Sequence, residues 1–183
     1  MAGVAVVVID VQQAFFSGPN ASYRGAEVID GINRLTAAAR AAGAPVFIVQ
    51  HDEAGDPEVE YGSEGWQLPA SLVRTGEDIL VRKSVGDSFH DTPLKAQLDR
   101  LDIERLLICG YATEFCVDTG ARRAALLGYR TTVVSDLHTT QQTSHLSPEQ
   151  IVAHHNRVWA HSSMSGNRVS VRSLADVLAT EFA

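Results

Sequence analysis

Val4-Ala5-Val6-Val7-Val8-Ile9-Asp10 is a run of apolar, mostly β-branched residues closed by a single carboxylate. A strand with one solvated face alternates apolar and polar residues. This run does not, so it reads as a strand covered on both faces, as in a parallel sheet between layers of helices. Working outward, residues 25–42 carry Val28, Ile29, Ile32, Leu35 and Ala39 at helical spacing, and Gly43 ends that segment. Pro45 opens a second strand over 46–50, and 52–69 is a long polar connection of the kind that often carries function. The apolar run 79–81 leads into Arg82-Lys83. Residues 92–101 read as a helix, 106–109 as a fourth strand, and 114–127 as a helix stopped by Gly128. Residues 131–134, 148–159 and 169–171 follow as strand, helix and sixth strand, and Ser173 caps a last helix to about 179. Strands alternate with helices from end to end. The expectation is a single α/β domain over 1–183, a three-layer αβα sandwich on a mainly parallel six-stranded sheet.

Bulk properties exclude several classes of function. A formal net charge of −7 and the lack of any Lys/Arg-rich run leave no basic footprint for a phosphate backbone, so nucleic acid is not an expected partner. The first apolar run is far too short to span a membrane, and Met1-Ala2-Gly3 lacks the basic start of a secretory leader. The only two cysteines, Cys109 and Cys116, form neither a disulfide framework nor a zinc pattern. A reducing cytoplasm is the expected location.

In open α/β sheets, ligands bind beyond the carboxyl ends of the strands. Asp10 ends the first strand and Lys83 the third, while Cys116 follows the fourth at the start of a helix. Three residues distant in sequence thus converge on one rim. A free thiol, with a pKa near about 8.5, is only slightly ionised at neutral pH. A helix's first turn and a nearby ammonium are expected to favour its thiolate. A carboxylate within reach can take the thiol proton and pass it to a leaving nitrogen. The segment Gly110-Tyr111-Ala112-Thr113-Glu114-Phe115-Cys116 is a glycine-led turn into a helix, with backbone N–H groups suited to an oxyanion hole, that of Cys116 among them. Taken singly, each residue also has a plain reading: Asp10 a cap, Lys83 a solvated cation, Cys116 an apolar filler. Cys109, inside a strand, reads as such a filler.

Three separated motifs, Val8-Ile9-Asp10-Val11-Gln12 with Phe15, Arg82-Lys83 with Ser88-Phe89, and Gly110 through Val117, resemble those of the isochorismatase-like cysteine hydrolases. That superfamily includes nicotinamidases, N-carbamoylsarcosine amidases and ureido-compound hydrolases. The resemblance implies a triad of Asp10, Lys83 and Cys116 and an oxyanion hole from the backbone N–H groups of Ala112 and Cys116. It also implies a non-proline cis peptide between Tyr111 and Ala112, a thioester at Cys116, and assembly as a homo-oligomer, with Trp159 a candidate interface residue.

The pattern departs from nicotinamidases in one respect. Their metal site uses an Asp-x-His pair, whereas His51-Asp52 stands here in reversed order with no other histidine before His90. Neither a metal nor a cofactor is expected. Candidate substrate contacts are Phe15, His51, Trp66, Phe89, Tyr111 and His138, each with ordinary packing as its alternative. The leading reading is a C–N hydrolase acting on a small amide, carbamoyl or ureido compound. An enol-ether hydrolase of the isochorismatase type and a non-catalytic binding protein of the same fold stay open.

Overall fold

The computed structural model describes residues 3–164 and 166–182. Met1 and Ala2, read above against a leader, lie outside the described residues. Six strands form the main sheet: β1 (Gly3–Ile9), β2 (Val46–His51), β3 (Ile79–Lys83), β4 (Ile103–Tyr111), β5 (Arg130–Thr139) and β8 (Ser170–Arg172). Their order is β3-β2-β1-β4-β5-β8, with β1 near the centre and every neighbouring pair parallel. Two-residue strands β6 (Ser163–Met164) and β7 (Asn167–Arg168) pair antiparallel outside it.

The continuous apolar run of β1 reflects a core on each side. Ala5, Val7 and Ile9 pack with Leu94 and Leu98 of α3 (Leu94–Arg100), Ala121, Ala124 and Ala125 of α4 (Asp118–Leu126), and Trp159 of α5 (Pro148–His161). Val6 and Val8 face the other way, onto Ile32, Leu35 and Ala39 of α2 (Gly25–Ala41) and Leu174 and Val177 of α6 (Leu174–Glu181). Two layers of helices therefore remove both faces of the strand from water, the arrangement the pattern implies.

From β1 the chain runs outward to β2 and β3, then returns to lay β4 on the other side of β1. Strand order reverses there, so a crevice opens beyond the carboxyl ends of β1 and β4. The strands meet closely at that point. Gly110 takes φ +122°, and a Cβ there would lie 2.0 Å from the Ile9 carbonyl oxygen, so only glycine fits.

Several boundaries differ from those read in the sequence. The segment 114–127 is not one helix. It begins with a π-helical turn over Thr113–Val117, and α4 starts only at Asp118. Strands β4 and β5 run longer than their apolar centres, and the last strand of the sheet lies one residue later than expected. A short helix α1 (Gln13–Phe16) follows β1, and the connection between β2 and β3 extends to residue 78.

Candidate active site

Asp10 leaves the end of β1 with φ +51°, a left-handed conformation uncommon outside glycine but most accessible to Asp and Asn. Its amide still donates to the Val49 carbonyl at 2.9 Å, tying the residue to the end of β2. Lys83 closes β3, two strands away. Its Nζ lies 2.7 Å from Asp10 Oδ2 and donates to Cys116 Sγ at 3.2 Å and to the Val85 carbonyl at 3.1 Å. The three ammonium protons thus have three acceptors. Asp10 and Lys83 are buried, with 1% and 3% exposure, while Cys116 is partly accessible. Asp10 Oδ1 is buried without a protein partner.

The electrostatics differ from the expectation of a resting thiolate. Burial, joined by the Asp10 carboxylate, pushes the Cys116 thiol up to about 12, and the opposing Lys83 charge does not cancel this. Burial acts to lower the Lys83 pKa, but interactions led by the Asp10 carboxylate oppose it and the net shift is upward. The resting trio is therefore carboxylate, ammonium and neutral thiol, whose charges cancel. A thiolate would add an uncompensated buried negative charge.

Cys116 is carried by the π-turn, a geometry that recurs at functional sites. The Ala112 carbonyl accepts from both Phe115 N and Val117 N, each at 3.1 Å. Neither bond uses the Cys116 amide. The Tyr111–Ala112 peptide is cis. Cys109 is fully buried in the α2 face, where burial raises its thiol pKa, and neither cysteine is in a disulfide.

The structure separates the other candidates. Phe15 stacks on Tyr111 with ring centroids 4.4 Å apart. Burial, then the Glu114 charge, pushes the Tyr111 phenol up to about 12, and its hydroxyl donates to Gln141 Oε1 at 3.1 Å. A cleft of about 520 Å³ opens beside α1, lined by Gln13, Ala14, Ser17, Glu58, Glu64 and Gln141. His51 ends β2 in register with Lys83, and Trp66 packs edge-on against Tyr61 at 4.8 Å. His51 Nδ1 and Trp66 Nε1 are buried without protein partners.

The structure places two more candidates and corrects one reading. His138 is held at both ring nitrogens. It is buried, with Nδ1 2.9 Å from Thr113 Oγ1 and Nε2 3.0 Å from Asn156 Oδ1. An irregularity in the β4–β5 pairing sets it opposite Gly110, behind the π-turn. Phe89 lies in the core, stacked on Tyr129 at 6.1 Å. Trp159, read as a possible interface residue, is wholly buried with its indole N–H on Asp118 Oδ1 at 2.6 Å.

One organising residue is not among the candidates read from the sequence. Gln12 is completely buried. Its Oε1 accepts from His51 N at 2.8 Å, and its Nε2 donates to the His51 carbonyl at 2.9 Å and the Trp66 carbonyl at 3.3 Å. It joins the end of β2 and the long loop to the segment after Asp10. The signals the sequence offers for it are its place in the first of the three motifs and a polar residue two positions beyond the Asp10 that closes an apolar strand. Among the described residues no group of three or more His, Cys, Asp or Glu is placed to hold a metal ion. Asp52 instead pairs with Arg82 at 2.9 Å. No helix among the described residues is long and apolar enough to cross a membrane.

Comparison with known proteins agrees with this fold. The family model described as the isochorismatase domain matches residues 4–159. The chain belongs to the isochorismatase family. It is 39% identical over 136 residues to a streptothricin hydrolase of Streptomyces noursei, covering 74% of this chain and 49% of that one. It thus spans about half the length of that relative. A ureidoacrylate amidohydrolase of Pseudomonas syringae pv. syringae is 31% identical, over 72% of this chain and 69% of its own. Among solved structures, an isochorismatase family protein superposes with a TM-score of 0.84 at 34% identity, covering 93% of this chain and 98% of that one.

Proposed function

We propose that this protein is a cysteine hydrolase that cleaves a C–N bond of a small amide, carbamoyl or ureido compound. The observation that carries the reading is the contact of Lys83 Nζ with both Asp10 Oδ2 and Cys116 Sγ, at 2.7 and 3.2 Å. The names of the two relatives, one a streptothricin hydrolase and one a ureidoacrylate amidohydrolase, support it.

Catalysis starts from the neutral thiol. The substrate carbonyl docks with its oxygen toward the Ala112 and Cys116 amides. Asp10 takes the thiol proton as Sγ bonds to the carbonyl carbon, so the negative charge moves to the carbonyl oxygen rather than resting on sulfur. The tetrahedral adduct collapses, the C–N bond breaks, and Asp10 gives its proton to the leaving nitrogen. Water then attacks the thioester, with Asp10 accepting its proton and returning one to Sγ. Lys83 keeps its charge throughout and steadies Asp10 while that group is ionised. Substrate occupying the partnerless face of Asp10 excludes water and strengthens each of these contacts.

The test is a panel of amides, N-carbamoyl compounds and ureido acids, assayed for release of ammonia or amine, with an enol ether assayed for pyruvate. Turnover of a C–N substrate, a covalent acyl adduct on Cys116 in quenched samples, and loss of both in Cys116→Ala are expected. Pyruvate release that survives Cys116→Ala overturns the reading in favour of ether hydrolysis. No turnover in any class, with Cys116 unmodified, overturns it in favour of binding alone.

A further inference from the structure

Helix α5 contributes no residue to the trio, yet two of its side chains connect to the turn that carries Cys116, Asn156 through His138 and Trp159 through Asp118. The chain of hydrogen bonds fixes its own proton positions. Asn156 Nδ2 donates to the Ser135 carbonyl at 3.0 Å, a group that can only accept. Asn156 Oδ1 therefore faces His138 Nε2, at 3.0 Å, and must itself accept. The imidazole proton sits on Nε2, and Nδ1 offers its lone pair to the Thr113 hydroxyl 2.9 Å away. Burial, acting against the Asn156 contact, holds the ring pKa down at about 4, so this neutral form persists at neutral pH.

Three residues further along the same helix, Trp159 Nε1 donates to Asp118 Oδ1 at 2.6 Å. Asp118 is also held by Arg122 Nε, at 2.7 and 2.9 Å to its two oxygens. Thr113 is the first residue of the π-turn and Asp118 the one directly after its last. The His138 and Trp159 rings meet edge to face with centroids 5.0 Å apart, so the two contacts form one buried unit. A π-turn has no regular i→i+4 ladder of its own to hold its shape, which makes support at both ends consequential.

We propose that α5 is a two-point clamp on the nucleophile turn. Asn156, acting through His138, fixes Thr113, and Trp159 fixes Asp118. Together they hold the Cys116 thiol against Lys83. These are positioning residues, a term that rests on reading Cys116 as the nucleophile. Releasing either end lets the turn relax and moves the thiol toward solvent, so its pKa falls part of the way toward that of an ordinary cysteine.

The experiment is site-resolved iodoacetamide labelling across pH 6 to 10, on wild type, Thr113→Val, Thr113→Ser and Trp159→Phe, with Cys109 in the same protein reporting on the fold. Thr113→Val removes only the hydroxyl donor, Thr113→Ser keeps it, and Trp159→Phe removes the indole N–H. The expected result is that Thr113→Val and Trp159→Phe each make Cys116 labelling at pH 8 roughly tenfold faster, the change that a pKa lower by about one unit brings. Cys109 stays protected, and Thr113→Ser behaves as wild type. Unchanged Cys116 profiles overturn the clamp. So does a parallel rise in Cys109 labelling, which reduces these contacts to general stability. Labelling needs no substrate, so its failure leaves the hydrolase reading standing, and absent turnover leaves the clamp standing.

Discussion

Lys83 reaches Asp10 across the end of an intervening strand. The two residues terminate β3 and β1, β2 lies between them, and still Nζ and Oδ2 are 2.7 Å apart. Two strand spacings amount to about 9.6 Å, a gap closed by the lysine stem, the aspartate side chain and the 2.7 Å contact between them. The pair is nearly inaccessible to water, so each charge depends on the other. Lys83→Met strands the Asp10 carboxylate in a buried site where Oδ1 already lacks a partner. Loss of about 3–5 kcal/mol in urea unfolding at pH 7 is expected, with partial recovery in Asp10→Asn/Lys83→Met. A single variant as stable as wild type would show the pair to be solvated.

The neutral resting thiol gives a pH dependence with a definite sign. Cys116 is pushed up to about 12, whereas the unfolded chain titrates near about 8.5. The raised value means the unfolded state sheds its proton first. The contribution to stability is therefore complete below about 8.5 and is lost as pH rises toward the folded value, by up to about 1.4 kcal/mol per unit. Cys116→Ser removes this loss, because a serine hydroxyl does not titrate there. Urea midpoints at pH 8 and pH 10 check it: the drop should be smaller in Cys116→Ser than in wild type. Equal drops would mean that the thiol is not raised.

Much of this was legible in the sequence, and the illegible parts share a cause. The run 4–9 is covered on both faces, so its pattern has one reading. β4 begins at Ile103 with Glu104 and Arg105, whose exposed or half-buried charges hide the strand from an apolar count. A π-turn and an α-helix bury the same apolar positions over five residues, so the turn under Cys116 leaves no mark in periodicity. His138 reads as following the fifth strand because the apolar pattern of that strand stops at Val134. The strand continues to Thr139 through an irregularity that the sequence does not announce. Asp10 and Cys116 flank the switch point, which strand order alone indicates. The approach of Lys83 needed the register of three strands.

The indole N–H of Trp66 is buried without a protein partner, so a part in substrate recognition is open to test. If substrate accepts from it, Trp66→Phe keeps the ring against Tyr61 and removes one donor. The expected outcome on an amide or ureido substrate is a several-fold rise in KM, about 1 kcal/mol, with kcat and Cys116 labelling unchanged. Steady-state kinetics beside the labelling assay decide it, and a fall in kcat alone would assign Trp66 to catalysis instead.

Two glycines with positive φ separate conformational cost from steric cost. Gly43 ends α2 at φ +72° with nothing within 4 Å of where a Cβ would sit, whereas Gly110 at φ +122° would drive its Cβ to 2.0 Å from the Ile9 carbonyl oxygen. Gly43→Ala carries only the backbone cost, about 1 kcal/mol. Gly110→Ala must push β4 away from β1 at the point where the strands deliver Asp10 and the Ala112 amide. A loss of at least about 3 kcal/mol is expected, with Cys116 labelling altered in whatever fraction folds. Thermal unfolding of both variants gives the comparison. Similar small losses would mean that the sheet opens freely at its switch point, and an oxyanion site built on that junction would then lack the rigidity that catalysis by fixed N–H donors requires.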